Sequence, residues 1–263
     1  MTMLEEVTPL IIAFNESPNI DRTLQRLSWA GRIVVIDSYS NDKTLDILKS
    51  YQQVEVFQRE FDTHTNQWNY GVQQVKSKWV LSLDADYLLT DELISEISGL
   101  PEENLFNAYL IRFKYCVFGK PLRGTLLPPR AALFKKDKAV YINDGHTQLL
   151  QVNGQVSILK SYIYHDDRKP LSRWLWAQDR YMLIEAKKLL ETPMTELSLG
   201  DRLRRQKVIA PFIILLYCLI LKGGVLDGWA GWYYAFQRTL AEIILALRLI
   251  EAEKFSRLKQ DIS

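Results

Sequence analysis

Four short apolar runs, each closing near a polar or acidic residue, constrain this chain most. Val7 to Phe14 reads as a buried strand, and Arg32-Ile33-Val34-Val35-Ile36 as a second, β-branched one. Val54-Glu55-Val56-Phe57 and Trp79 to Leu83 complete the series. Near-continuous apolar runs suit strands covered on both faces, which is the situation of a parallel sheet. The stretches Ile20 to Trp29, Lys43 to Tyr51, Thr63 to Lys76 and Thr90 to Ser98 have helical character and supply the crossovers. Regular strand–helix alternation predicts an α/β fold with a Rossmann-like, mostly parallel central sheet.

In such sheets ligands bind beyond the carboxyl ends of the strands. Three of those ends carry polar or acidic groups: Asn15-Glu16, Asp37, and Asp84 with Asp86. Two carboxylates one residue apart repel unless a cation neutralises them. The plainer alternative for Asp84-Ala85-Asp86 is an acidic turn that caps the next helix. Its position as the third polar strand end favours a ligand site. No Gly-x-Gly-x-x-Gly follows the first strand, and no Walker loop is present, so dinucleotide binding and ATP hydrolysis are unsupported. Acids hold a diphosphate through a divalent cation that bridges the two. The balance of 33 basic against 31 acidic residues, a net +2, argues against a general nucleic-acid binder.

After Pro101 the pattern changes. Tyr109, Ile111, Phe113, Tyr115 and Val117 alternate with more polar residues, which predicts a strand with a hairpin near Gly119-Lys120-Pro121. Short strands are predicted at Ala131 to Lys135, Lys138 to Ile142, Gln148 to Val152 and Gln155 to Leu159. Asn153-Gly154 is a tight-turn signal between the last two. Ser161 to Tyr164 leads to His165-Asp166-Asp167-Arg168, a second acidic strand end whose plainer reading is helix capping and ion pairing. The expected organisation is one domain over 1–168, with a nucleotide-type sheet in 1–100 and a mixed or antiparallel part in 101–168. A helical region over 169–263 follows.

That helical region carries Arg202, Arg204, Arg205 and Lys207, then the apolar run Val208 to Leu221, then Lys222-Gly223-Gly224. Trp229, Trp232, Tyr233 and Tyr234 open a long final helix. No run reaches the roughly 20 apolar residues of a spanning helix. A basic cluster, a short apolar helix and an aromatic cluster predict an interfacial anchor on a membrane surface. A buried helical hairpin is the alternative. The amino terminus lacks a basic, apolar leader, and Cys116 and Cys218 make no disulfide framework. These features predict a cytoplasmic protein, peripheral on the inner face of the cell membrane. They leave the oligomeric state unknown.

Three motifs in order make the chain resemble the family 2 glycosyltransferases of the GT-A fold. They are Thr8-Pro9-Leu10-Ile11-Ile12-Ala13-Phe14-Asn15-Glu16, Val35-Ile36-Asp37-Ser38-Tyr39-Ser40-Asn41-Asp42-Lys43-Thr44, and the Asp-x-Asp (DXD) stretch Leu83-Asp84-Ala85-Asp86. Arg130-Ala131-Ala132-Leu133-Phe134, Asp144-Gly145-His146, Tyr164-His165 and Gly224-Val225-Leu226-Asp227-Gly228 resemble the lipopolysaccharide-core glucosyltransferase branch. The resemblance implies that Pro9, Phe14, Asn15 and Glu16 border the nucleotide base, and that Asp37 holds base or ribose. Asn69 matches a family Asn near the nucleotide, although Gln67-Trp68-Asn69 departs from the usual Arg-Asn pair. Asp84 would bind ribose or a metal-bound water, and Asp86 would ligate Mg²⁺ or Mn²⁺. Arg130 would contact the diphosphate.

Inversion at the sugar carbon needs a carboxylate to take the acceptor proton. The expected base is Asp144, and the acid that often follows the family histidine is absent here. His146 is the base itself, a third metal ligand or a diphosphate contact. The implied activity is metal-dependent, inverting transfer from a nucleotide sugar, UDP-linked, to a membrane-bound glycolipid or lipopolysaccharide-core saccharide. A polyprenyl-phosphate acceptor is the alternative within the class, and a metal-dependent nucleotidyltransferase the alternative outside it.

Overall fold

The computed structural model describes residues 2–101, 105–144 and 147–260, with the side chains of Asp144, Thr147 and 256–260 outside that description. It divides into two compact units, one of Met1–Pro121 with Leu126–Arg168, the other of Leu122–Thr125 with Lys169–Ser263.

The first unit opens with β1 (Val7–Ala13), α1 (Ile20–Gln25), β2 (Ile33–Asp37), α2 (Thr44–Lys49), β3 (Val54–Gln58), α3 (His64–Gln74) and β4 (Trp79–Asp84). It continues with β5 (Tyr87–Leu89), α4 (Asp91–Ser98), β6 (Phe106–Val117), β7 (Lys120–Pro121) and β8 (Arg130–Lys135). Then come β9 (Ala139–Asp144), β10 (Thr147–Val152) and β11 (Gln155–His165). The main sheet has the order β3-β2-β1-β4-β8-β6-β11-β5. β1 to β4 run parallel, and β6 and β11 share their direction through two antiparallel steps across β8. β9 and β10 form a separate two-stranded sheet.

The alternation of side chains explains why the first strands read as unbroken apolar runs. Ile11, Ile33, Val35 and Leu81 face Leu24 of α1, Leu48 of α2 and Leu93 and Ile97 of α4. Their neighbours Leu10, Val34, Ile36 and Val80 face Trp68 and Val72 of α3 on the other side. Both faces are largely dry, so polar residues are few and hydrogen-bonded, as Thr8 and Ser82 are. Helix α3 lies close to the sheet: a Cβ on Gly71 would stand 2.7 Å from Leu10 Cδ1 and 3.0 Å from Ile36 Cγ1.

Two features depart from the sequence reading. The three-residue β5 was too short to show any period. Asn153-Gly154 does turn the chain, with Gly154 at φ 114°. Yet β10 pairs with β9 and β11 with β6 and β5, so the turn hands the chain from one sheet to the other.

The second unit holds α5 (Leu171–Glu191), α6 (Leu199–Arg205), α7 (Ile209–Leu216) and α8 (Trp229–Gln260). α7 is extended by a π-helical turn at Tyr217–Leu221. Met182, Ala186 and Leu189 of α5 pack with Leu245 and Leu249 of α8. The predicted basic cluster serves this packing. Arg204 meets Glu185 at 3.0 Å and Glu242 at 2.7 Å, and both acids are buried. Lys207 pairs with Glu253 at 2.6 Å, and Arg205 donates to the Thr192 carbonyl at 3.1 Å. Among the described residues no helix is long and apolar enough to cross a membrane.

Candidate active site

The carboxyl ends of β1, β2 and β3 align: Ala13 stands in register with Asp37, and Asp37 with Gln58. Asp84 closes β4 opposite Ile12. One edge of the sheet therefore collects the polar strand ends.

The loops beyond β1 and β2 are stitched to each other. Asn15, at φ 56°, accepts from the Asn41 amide at 2.9 Å through its side-chain oxygen. The Asn15 amide donates to Ser40 Oγ at 2.9 Å. Glu16 N–H donates to Thr44 Oγ1 at 2.8 Å, and Ser17 N–H to Asp42 at 3.1 Å. Burial works to raise the Asp42 pKa, but hydrogen bonds from Thr44 and Ser17 outweigh it and hold the carboxyl below its ordinary value. Asp37 is fully buried and accepts from the Ser40 amide at 3.0 Å and from Gln58 Nε2 at 3.2 Å. Asn15 and Asp37 thus shape the two loops that carry the half-exposed Phe14. Pro9 lies buried inside β1, well before its carboxyl end.

Asn69 does not point its amide at open space. It donates to the Tyr141 carbonyl at 2.9 Å and accepts from the Tyr141 amide at 3.0 Å. Helix α3 is thereby fastened to β9, the strand that ends at Asp144. Gln67, also buried, donates to Ser38 Oγ at 2.9 Å and accepts from Arg59 at 2.6 Å. Asp144 terminates β9 opposite Thr147, its side chain beyond the description, and His146 lies outside the described residues.

Asp86, two residues past β4, has a partner that the sequence did not reveal. His165, last residue of β11, places Nε2 3.1 Å from Asp86 Oδ2, across 79 residues of sequence. The Asp166 amide donates to the Asp86 carbonyl at 3.0 Å, which continues the β5–β11 ladder past its end. The His165 ring sits edge-on to Tyr87 and Tyr115, with centroids 5.2 Å and 5.0 Å away. Burial pulls its pKa down, yet Asp86, Asp84 and Asp167 outweigh burial and raise it. Burial, with Asp84 and Asp86, also pushes the Tyr87 hydroxyl well above its usual range, while Arg130 opposes that push. Asp84 and Arg130 act in the same opposed way on Tyr141, whose pKa burial raises. Asp86, Tyr87 and His165 therefore share one neighbourhood, and the charges of Asp84 and Arg130 reach it. The sequence signals for His165 were its place at a strand end before two acids and the Tyr164-His165 resemblance, and neither pointed to Asp86.

Those two acids are engaged by neighbouring side chains and backbone. Asp166 is buried, pairs with Arg22 at 2.6 Å and Arg168 at 3.0 Å, and accepts from the Gly119 amide at 2.8 Å. Asn19, also buried, donates to Asp167 at 2.9 Å and to Glu16 at 3.1 Å. This network ties the start of α1, and with it Glu16, to the end of β11. Among the described residues no group of three or more His, Cys, Asp or Glu side chains is close enough to hold a metal ion. Asp86 and His165 supply two donors of the right kind.

The model of the family described as glycosyl transferase family 2 matches residues 9–149, more than half of the chain. The chain belongs to glycosyl transferase family 2. The match runs from β1 into β10 and carries all three acid-bearing strand ends. β11, and so His165, lies beyond it, as do the four helices of the second unit.

Among curated relatives, the chain is similar to the poly(ribitol-phosphate) β-N-acetylglucosaminyltransferase TarP of Staphylococcus aureus. They share 28% identity over 144 residues, covering 51% of this chain and 42% of TarP. An uncharacterized glycosyltransferase of Rickettsia bellii shares 30% over 114 residues, covering 42% of this chain and 38% of its own. These matches thus span well under half the length of either relative. Among solved structures, TarS residues 1–349 of S. aureus, in complex with UDP-GlcNAc, is 15% identical with a TM-score of 0.49. That superposition covers 94% of this chain and 91% of the TarS fragment.

Proposed function

We propose that this protein is a glycosyltransferase that moves a sugar from a nucleotide sugar, UDP-linked, to a glycolipid or saccharide acceptor at a membrane surface. The single observation that carries the reading is the acid-bearing sheet edge of a family 2 chain, with Asp86 held against His165 at 3.1 Å. The UDP-GlcNAc bound in the TarS structure and the N-acetylglucosaminyl transfer in the name of TarP agree with such a donor.

The cofactor we assign is a divalent cation, Mg²⁺ or Mn²⁺, with Asp86 and His165 as its two protein donors. Asp86 and His165 would hold it, and Asp84 would add negative charge or reach ribose. Bound there, the ion would neutralise charge on the departing nucleoside diphosphate. The chain's own residues do the rest. The Asn15–Ser40–Asn41 and Glu16–Thr44 contacts keep the two donor loops rigid before substrate arrives, which lowers the entropic cost of binding. Arg130, exposed at the start of β8, supplies positive charge near Asp84. Asp144 is the group we assign to take the acceptor proton, with direct displacement and inversion as the outcome. Asn69 holds the strand that presents it.

Membrane association rests on the second unit. Val208, Phe212, Leu216 and Ile220 recur at four-residue spacing and are all more than half exposed. Trp229 and Phe236 of α8 are similarly exposed. Apolar helical surface of this kind suits the headgroup boundary of a bilayer, where a lipopolysaccharide-core or other lipid-linked acceptor would reside.

The test is a screen of UDP-, GDP-, CDP- and ADP-linked sugars with Mn²⁺ or Mg²⁺, reading sugar-nucleotide hydrolysis and protection against melting. We expect a UDP-linked sugar to protect in the presence of the cation. Absence of protection by every donor would reject the assignment.

A further inference from the structure

Tyr39 occupies a backbone conformation that a side chain normally avoids. Its φ is 58°, in the left-handed region where Cβ crowds the following carbonyl oxygen. Asn15 enters the same region at φ 56° with a short polar side chain that bonds locally, the usual reason for tolerance. An aromatic residue has no such compensation, and Tyr39 obtains none from the protein. It is 57% exposed, and among the described residues its side chain makes no hydrogen bond, ion pair or ring contact.

Its neighbours impose the conformation. Ser38 is held by Gln67 at 2.9 Å, Ser40 by Asp37 at 3.0 Å, and Asn41 by Asn15 at 2.9 Å. Both flanks of Tyr39 are therefore pinned to the sheet edge. Strain maintained by over-determined surroundings concentrates where a protein binds or reacts. Glycine would meet the backbone need at no steric cost, so the aromatic ring itself needs a purpose. That ring stands two residues past Asp37, in the loop stitched to the loop of Phe14, which is 40% exposed.

We propose that Tyr39 is a stacking platform for the nucleobase of the donor, and so a residue that sets donor affinity. This rests on the nucleotide-sugar reading above. A flat, rigidly carried ring offers its π face to a base whatever hydrogen bonds the base makes elsewhere.

The test is calorimetric titration of the full chain with UDP, GDP, CDP and ADP in Mn²⁺, then of Tyr39→Phe and Tyr39→Gly with the tightest of the four. Inorganic pyrophosphate is titrated in parallel. Tyr39→Phe should bind the nucleotide as the unaltered chain does. Tyr39→Gly should bind it about tenfold more weakly, the equivalent of about 1.4 kcal/mol, with pyrophosphate affinity unchanged. Its melting temperature without ligand should hold or rise, since the strained Cβ is gone. A merely structural tyrosine would lower the melting temperature and weaken both ligands together. Nucleotide affinity in Tyr39→Gly within twofold of the unaltered chain would overturn the proposal. Failure of the unaltered chain to bind any of the four nucleotides would overturn the donor reading and this inference with it.

Discussion

Replacing Asn69 with alanine removes both hydrogen bonds between α3 and the Tyr141 backbone, of 2.9 and 3.0 Å. Tyr141 is buried, so water does not readily replace the lost partners. Each lost bond costs about 0.5–1.5 kcal/mol, and a stranded buried amide or carbonyl costs about 1–3 kcal/mol. Because these overlap, a combined local loss of about 2–4 kcal/mol follows. The readout is amide hydrogen exchange at Tyr141, where about 2 kcal/mol lowers protection roughly thirtyfold. The damage should stay on β9 and β10, since the loops after β1 and β2 are bound to each other independently of Asn69. Nucleotide affinity should therefore change less than twofold while transfer falls with the displacement of Asp144. The family resemblance implies the opposite pattern, an Asn beside the nucleotide. Unchanged protection at Tyr141 combined with weakened nucleotide binding would refute the structural reasoning.

Three further outcomes test other parts of the account. A Cβ at position 231 would stand 1.9 Å from the Gly224 carbonyl oxygen, a backbone atom that cannot swing away. Gly231→Ala should cost the helical unit about 1–3 kcal/mol, visible as an earlier helical melting transition by circular dichroism. Arg204→Ala leaves Glu185 and Glu242 buried without their cation, so urea unfolding should show a loss of about 3–5 kcal/mol, far more than a surface pair would give. The depressed pKa of Asp42 implies that its contribution is complete above the ordinary value of 3.8 and vanishes as pH falls through the lower folded value. Asp42→Asn should therefore destabilise the protein at neutral pH in melting scans, and the difference from the unaltered chain should shrink toward pH 3 or below.

The parallel half of the fold was legible because its cause is local. A strand buried on both faces is apolar at most positions, and β1, β2 and β4 are so, with Thr8 and Ser82 as buried polar exceptions. The polar strand ends were legible for the same reason, since each sits where an apolar run stops. Longer-range pairings left no such trace. His165 meets Asp86 across 79 residues, and Asn69 meets Tyr141 across 72. Neither pairing has a spacing or periodicity that marks it. Arg204 illustrates the converse. In sequence it belongs to a basic cluster suited to lipid headgroups, but its partners 19 and 38 residues away claim it for the helical core. Asn153-Gly154 shows that a turn signal reports chain reversal without saying which strands will pair.

The most direct test of the central claim is Mn²⁺-dependent binding of a nucleoside diphosphate to the unaltered chain and to Asp86→Ala, each checked for folding by circular dichroism. A cation held at Asp86 and His165 predicts a nucleotide affinity that rises with Mn²⁺ in the unaltered chain. In the folded variant that gain should fall on the order of a hundredfold, or about 3 kcal/mol. Equal Mn²⁺-dependent affinity in the two proteins would contradict the account.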